Sequence, residues 1–169
     1  MTLTFSFDSL RETQYYSRRR AMKRLLPPAL FLLFALAMGL VCWAFDFHHT
    51  ILFPYNLSGL PLLLGGIFLA QASKNLFITI KTNVQTFGEP DTLVTTGFYR
   101  FSRNPMYLGF VIAIFGVAVL YQGSLSSFVL AIIFIIITDR WYIRFEEEVM
   151  FKKFGSSYSD YTQSTRRWI

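Results

Sequence analysis

In the stretch PMYLGFVIAIFGVAVLYQGSLSSFVLAIIFIIITDRWY, Pro105 to Tyr142, two long apolar runs are parted by little more than QGS. A helix crossing the hydrocarbon core of a bilayer needs roughly 20 mostly apolar residues. So short a connection between two such runs suits a tight helical hairpin. The pattern predicts spans over about 105–121 and 125–142. Upstream, LLPPALFLLFALAMGLVCWAF supplies a first span over about 25–45, with Pro27 and Pro28 near its start, where a missing N–H matters least. A second, over about 53–73, contains Pro54 and Pro61 and has its uninterrupted apolar core between Leu57 and Ala72. The chain therefore reads as all-α, a polytopic membrane protein of about four transmembrane helices.

Composition agrees. Of 169 residues, 53% are hydrophobic and 18% aromatic against 15% charged, too apolar for an ordinary soluble domain. The net charge of +6 does not describe a nucleic-acid binder, because the basic residues alternate with apolar spans and form no groove-binding motif. The single cysteine, Cys42, lies in an apolar run, so neither an internal disulfide nor a cysteine metal framework is available. His48 and His49 adjoin in the loop DFHHT without further ligands nearby, and no metal site is expected. The triplet NLS at Asn56 fits a glycosylation acceptor, but it falls inside a candidate span.

Lys and Arg are retained on the cytoplasmic side of short loops. The N-terminal arm carries Arg11, Arg18, Arg19, Arg20, Lys23 and Arg24; the central connection carries Lys74, Lys81, Arg100 and Arg103. Arg140, Arg144, Lys152, Lys153, Arg166 and Arg167 complete all sixteen, while DFHHT and QGS hold none. An integral membrane protein with both termini and the central connection in the cytoplasm is predicted. The polar lead is long and lacks a small-residue cleavage pattern, so the first helix is expected to be retained. Residues 1–24 form a basic arm that anchors on anionic lipid, and 25–169 a single membrane domain ending in a cytoplasmic tail over 143–169. The small-residue pairs Ala35 and Gly39, Gly66 and Ala70, Gly109 and Ala113 would let helices approach closely within the bundle. The lipid bilayer is the expected partner, with no nucleic acid and no obligate protein partner.

Polar chemistry gathers in two blocks that abut membrane helices. In GEPDTLVTTGFYRFSRNPMYLG, Gly97 allows a turn, Pro105 suits a first helical position, and Asn104 is left as the N-cap. The helix would turn its positive end and Arg103 toward the cytoplasm, where they either seat a carboxylate or phosphate or serve only as cap and snorkelling side chain. In the second block, DRWYIRFEEEVMFKKFGSSYSDYTQSTRRWI, Arg144 can pair with Glu148 at i, i+4, leaving Glu146 or Glu147 to face a pocket.

These two blocks, LVTTGFYRFSRNPMYLG and EEEVMFKKFGSSYSDYTQSTRRWI around a hydrophobic hairpin, resemble integral-membrane methyltransferases of the isoprenylcysteine carboxyl methyltransferase and phospholipid methyltransferase kind. The resemblance implies a cytoplasm-facing pocket for S-adenosylmethionine, built by the central connection and the C-terminal tail. It implies cofactor contacts at Val94, Gly97, Tyr99, Arg103, Asn104, Pro105, Tyr107, Leu108, Glu146 and Glu147. It further implies catalytic roles for Glu147 and Arg144 and substrate contacts at Tyr158 and Tyr161, within the tail motif that also includes Phe154 and Gly155. Asn104 stands where the prenylcysteine enzymes carry histidine, which removes any role needing a titrating imidazole. The implied activity is methyl transfer to a lipophilic or membrane-associated acceptor, an isoprenylcysteine-type carboxylate or a phospholipid-type amine. The alternative is a non-catalytic membrane scaffold or accessory subunit on the same helices.

Overall fold

The computed structural model describes residues 26–45, 50–80 and 92–169. The basic arm, His48, His49 and Lys81 lie outside these. The described chain is helical, without a strand: α1 (Pro27–Phe45), α2 (Gly59–Thr79), α3 (Pro105–Leu120), α4 (Leu125–Ile137), α5 (Arg144–Phe154) and α6 (Ser156–Ser164). Short 3-10 turns at Tyr55–Ser58 and Gly97–Arg100 lead into α2 and toward α3. Between α4 and α5 the helix does not stop but passes through a π-helical turn, Thr138–Ile143.

Three helical stretches among the described residues are long and apolar enough to cross a membrane: Pro27–Phe45, Tyr55–Thr79 and Leu125–Phe154. The expected third span, α3, is apolar but sixteen residues long, about 24 Å at 1.5 Å per residue. The second helix runs to Thr79, beyond the expected end near residue 73. Its polar last turns are satisfied internally, with Ser73 Oγ donating to the Leu69 carbonyl at 2.7 Å and Gln71 Nε2 to Asn75 Oδ1 at 2.9 Å. The fourth helix also outlasts its apolar run, continuing to Phe154. Pro27 does start α1, as its fixed φ and missing N–H favour.

The helices alternate in direction. Gly59 faces Gly116 and Leu120, while Gly66 faces Gly109 and Ala113, so α2 and α3 lie antiparallel. At one end, the N–H groups of Thr50 and Ile51 donate to the Gln122 carbonyl, and Thr50 Oγ1 donates to that of Gly123. Asn56 Nδ2 donates to the Leu120 carbonyl there, which ties the asparagine to α3. Cys42 meets Ser124 and Ser127 at the same end, setting α1 antiparallel to α4. The opposite end gathers the start of α3, the end of α2 and the helices after Thr138. Every described Lys and Arg lies at that end.

The α2–α3 seam is built from missing side chains. A Cβ on Gly66 would lie 2.5 Å from the Gly109 carbonyl oxygen and the Ala113 nitrogen; one on Gly109 would lie 2.5 Å from the Gly66 carbonyl oxygen. Gly59 and Gly116 repeat the contact one heptad away. Apolar side chains gain little by leaving lipid for another helix, so close backbone approach through small residues is a main source of attraction here. The expected pairs at Gly66, Ala70, Gly109 and Ala113 thus meet within one chain. Gly39 has another neighbour, the Tyr121 hydroxyl, 2.7 Å from where its Cβ would stand. On the other face of α3, Ile114 and Ala118 pack with Met38, Phe134 and Ala131 in the shared core.

Gly66→Val should lower thermal stability in detergent by about 1–3 kcal/mol, through overpacking against backbone that cannot turn aside. Gly65, with open space beside it, is the matched control. Gly65→Ala should be neutral or stabilising by up to roughly 1 kcal/mol through helix propensity.

Candidate active site

The sequence places the site's parts by local rules. Gly97 has φ +62°, a conformation that admits it where most residues would be strained, and it opens the turn holding Phe98, Tyr99 and Arg100. Pro105 then begins α3, with Asn104 at the capping position. The expected side-chain cap is not formed. Asn104 Nδ2 instead donates to the Arg167 carbonyl at 3.1 Å, and its own backbone N–H donates to Ser102 Oγ at 3.1 Å. The amide is diverted because the C-terminal segment crosses the start of α3: Arg103 N–H donates to the Arg166 carbonyl and Ser102 Oγ to that of Arg167.

Glu147 is the centre of the charged cluster. Arg103 Nη2 stands 3.1 Å from its Oε1, Arg167 Nε donates to the same oxygen at 3.2 Å, and Arg167 Nη2 donates to Oε2. Such a two-point fork fixes a carboxylate's plane as well as its position. The Arg103 and Glu147 side chains are only 13% and 16% exposed, so their attraction is less screened than a surface pair's. Hydrogen bonding with Glu147 raises the Arg167 pKa further, against desolvation. Arg103 Nε is buried without a hydrogen-bond partner among the described residues.

Glu146 is held differently. Tyr107 donates to its Oε1 at 2.7 Å, and no cation pairs with it among the described residues. Adjacent on one helix, the two acids point about 100° apart, which is how one meets arginines from the cap and tail while the other meets α3.

Three tyrosines close the cluster's apolar side. Tyr161 donates to the Tyr99 carbonyl at 2.6 Å, stitching α6 to the Gly97 turn, and packs edge-on against Tyr158. Tyr99 meets Phe77 of α2 in a perpendicular contact. Burial pushes the Tyr158 hydroxyl up to about 12, with Glu147 adding to the shift and Arg103 and Arg167 opposing it. Burial likewise raises Tyr99, aided by Glu146, and Tyr161, aided by Tyr158. All three remain neutral phenols at physiological pH, able to donate hydrogen bonds and form aromatic walls.

The structure thus brings together Tyr99, Arg103, Asn104, Tyr107, Glu146, Glu147, Tyr158 and Tyr161. Val94 is buried in the approach to Gly97, Pro105 is buried at the start of α3, and Leu108, half-buried, follows in its first turn. Arg144 is not drawn in: it pairs with Glu148 at 3.5 Å, as its i, i+4 spacing predicts, and is largely exposed. Three residues absent from the expected site belong to it. Arg167 reaches Asp139 as well as Glu147, with Nη1 3.4 Å from each Asp139 oxygen, and the Trp168 indole N–H donates to Asp139 Oδ1 at 3.0 Å. An acid directly after the run IIFIIIT was the available signal, because carboxylates are expensive beside a membrane helix.

Tyr161→Phe removes the donor to the buried Tyr99 carbonyl. It should cost about 1–3 kcal/mol of stability in detergent, read as a lowered unfolding temperature with helix content unchanged.

Comparison with known proteins adds the chemistry to this geometry. No curated protein and no solved structure matches the chain. A family model, described as phospholipid methyltransferase, matches residues 54–157. That stretch is more than half of the chain and includes the Gly97 turn, the start of α3 and both glutamates. The chain belongs to the phospholipid methyltransferase family.

Proposed function

We propose that the protein transfers methyl groups from S-adenosylmethionine to the amine of a lipid headgroup, at the basic, cytoplasmic end of the bundle. The observation that carries this reading is the unequal treatment of two adjacent carboxylates. Glu147 is answered by two arginines, whereas Glu146 is met by a neutral phenol.

The residues present suit the cofactor. A carboxylate, an ammonium group, a ribose diol and an adenine call for a cation, acidic acceptors and aromatic surface. Arg103 retains a buried Nε that has no partner among the described residues, and together with the start of α3 at Asn104, Pro105 and Leu108 it would hold the carboxylate. Glu147 would accept from the ammonium or ribose, while Val94, Gly97, Tyr99 and Tyr107 would flank the base. When bound, the cofactor supplies an electrophilic methyl group on a cationic sulfonium.

The chain's own contribution is alignment and exclusion of water, since in-line displacement needs no protein nucleophile. For every methyl that an amine nitrogen gains, it must lose a proton. Glu146 is the residue for that task, with its carboxylate oriented by Tyr107. A carboxylate acceptor sheds no proton on methylation and would leave Glu146 without a task, whereas an amine gives it one, and the amine is therefore favoured. Arg144, at the exposed rim, would meet the lipid phosphate, and Tyr158 and Tyr161 would wall the acceptor.

S-adenosylhomocysteine should raise the unfolding temperature of the purified protein, by about 2.7 kcal/mol of stabilisation at one hundred times its Kd. Arg103→Ala and Glu147→Ala should each weaken that shift. An unshifted, well-folded wild type would favour the non-catalytic scaffold. With methyl-labelled cofactor, label should enter the lipid fraction. Glu146→Gln should lower kcat by about 10²-fold while leaving the cofactor's KM nearly unchanged; label in protein instead of lipid would refute the headgroup assignment.

A further inference from the structure

We propose that Asp139 is a positioning residue for this site: it fixes Arg167 and, through Arg167, the carboxylate of Glu147. The inference rests on the function proposed above, and four observations support it.

Asp139 lies at the base of the fourth span, where an acid needs compensation, and its partners come from the tail. Both its oxygens face Arg167 Nη1, and Oδ1 also accepts from Trp168 Nε1. Its other neighbour, Arg140, is 3.8 Å away and largely exposed, so it holds Asp139 only weakly.

The same guanidinium forks onto Glu147 through Nε and Nη2. One planar group therefore sits between two acids of one helix, and its plane is set by both. The main chain at Arg167 is fixed as well, by Asn104 and Ser102 on its carbonyl.

The π-helical turn brings the two acids into line. Asp139 and Glu147 are eight residues apart, and in an unbroken α-helix their side chains would differ by about 80° around the axis; residues seven apart differ by only about 20°. A π turn takes up one extra residue. Thr138–Ile143 is such a turn and lies between them. It gives the eight-residue pair nearly the facing of a seven-residue pair, and a single arginine reaches both.

Finally, Glu147 also holds Arg103. A change in the angle at which Arg167 presents its fork moves the acid that Arg103 shares, although Asp139 touches neither Arg103 nor Glu147. The order of action is Asp139, Arg167, Glu147.

The test measures the Kd of S-adenosylhomocysteine on the full-length protein in lipid nanodiscs. Asp139→Asn keeps an oxygen for Trp168 but loses the charge that orients Arg167, and it should weaken binding by roughly tenfold or more, as misplacement of a binding group can. Asp139→Glu should recover part of the loss. In an Arg167→Met background, Asp139→Asn should change nothing further, because the coupling runs through the arginine. Tail anchoring without a positioning role would leave Kd unmoved by Asp139→Asn. That result, or an equal Asp139→Asn penalty with and without Arg167, would overturn the proposal while leaving the methyltransferase reading intact. Wild-type protein that binds no S-adenosylhomocysteine would overturn both. Should Asp139→Asn fold poorly, Arg167→Lys provides the same measurement: it keeps the charge without the fork and should also weaken binding at least tenfold, with wild-type affinity counting against the proposal.

Discussion

Backbone meets backbone where Gly66 and Gly109 cross, with no room for a methyl group between them. In a bilayer this close approach supplies attraction that apolar side chains alone do not. It also fixes the height of α3 against α2. The start of α3 carries Arg103, Asn104 and Tyr107, so the seam determines where the cation and the phenol stand. Phe77 near the end of α2 then meets Tyr99, and the Gly97 turn is held against the same pair of helices.

From that fixed end, two further chain segments are captured. The long fourth helix carries its acids beyond the apolar run, and the tail folds back over the start of α3. Capture is electrostatic and local: Glu147 takes arginines from both sides, while Asn104 and Ser102 grip the main chain of the tail. Such a cluster tolerates its low exposure because each charge has an opposite partner and most donors are directed. Arg103 Nε is the exception within the cluster, a buried donor beside an acid that finds no acceptor among the described residues, and such an exception belongs in a binding site more readily than in a structural pair.

The two adjacent glutamates illustrate how a helix divides labour. A rotation of about 100° per residue sends one carboxylate into a cationic fork and the other to a phenol on a different helix. The first is suited to holding charge in place. The second, met by that phenol and by no cation among the described residues, is suited to exchanging a proton with something that arrives. The π turn between Asp139 and the glutamates performs a similar angular adjustment over a longer stretch.

Much of this was legible from residue order. Apolar runs, the placement of Lys and Arg, Pro27 and Pro105 at helix starts, Gly97 at a turn and the i, i+4 pairing of Arg144 with Glu148 all follow from local rules that act within a few residues. The small-residue pairs announced close packing, and the two motif blocks announced the family. Tertiary structure alone decided the rest. Whether Asn104 caps its helix or grips the tail depends on a segment more than sixty residues away. Whether Glu146 or Glu147 faces the arginines depends on the phase of a helix that a π turn has shifted. Arg167 read as one more basic residue in the tail until the chain folded back. Local sequence sets which conformation each residue prefers, but the partner that satisfies a buried charge is chosen by distance in space, and only the packed helices determine that distance.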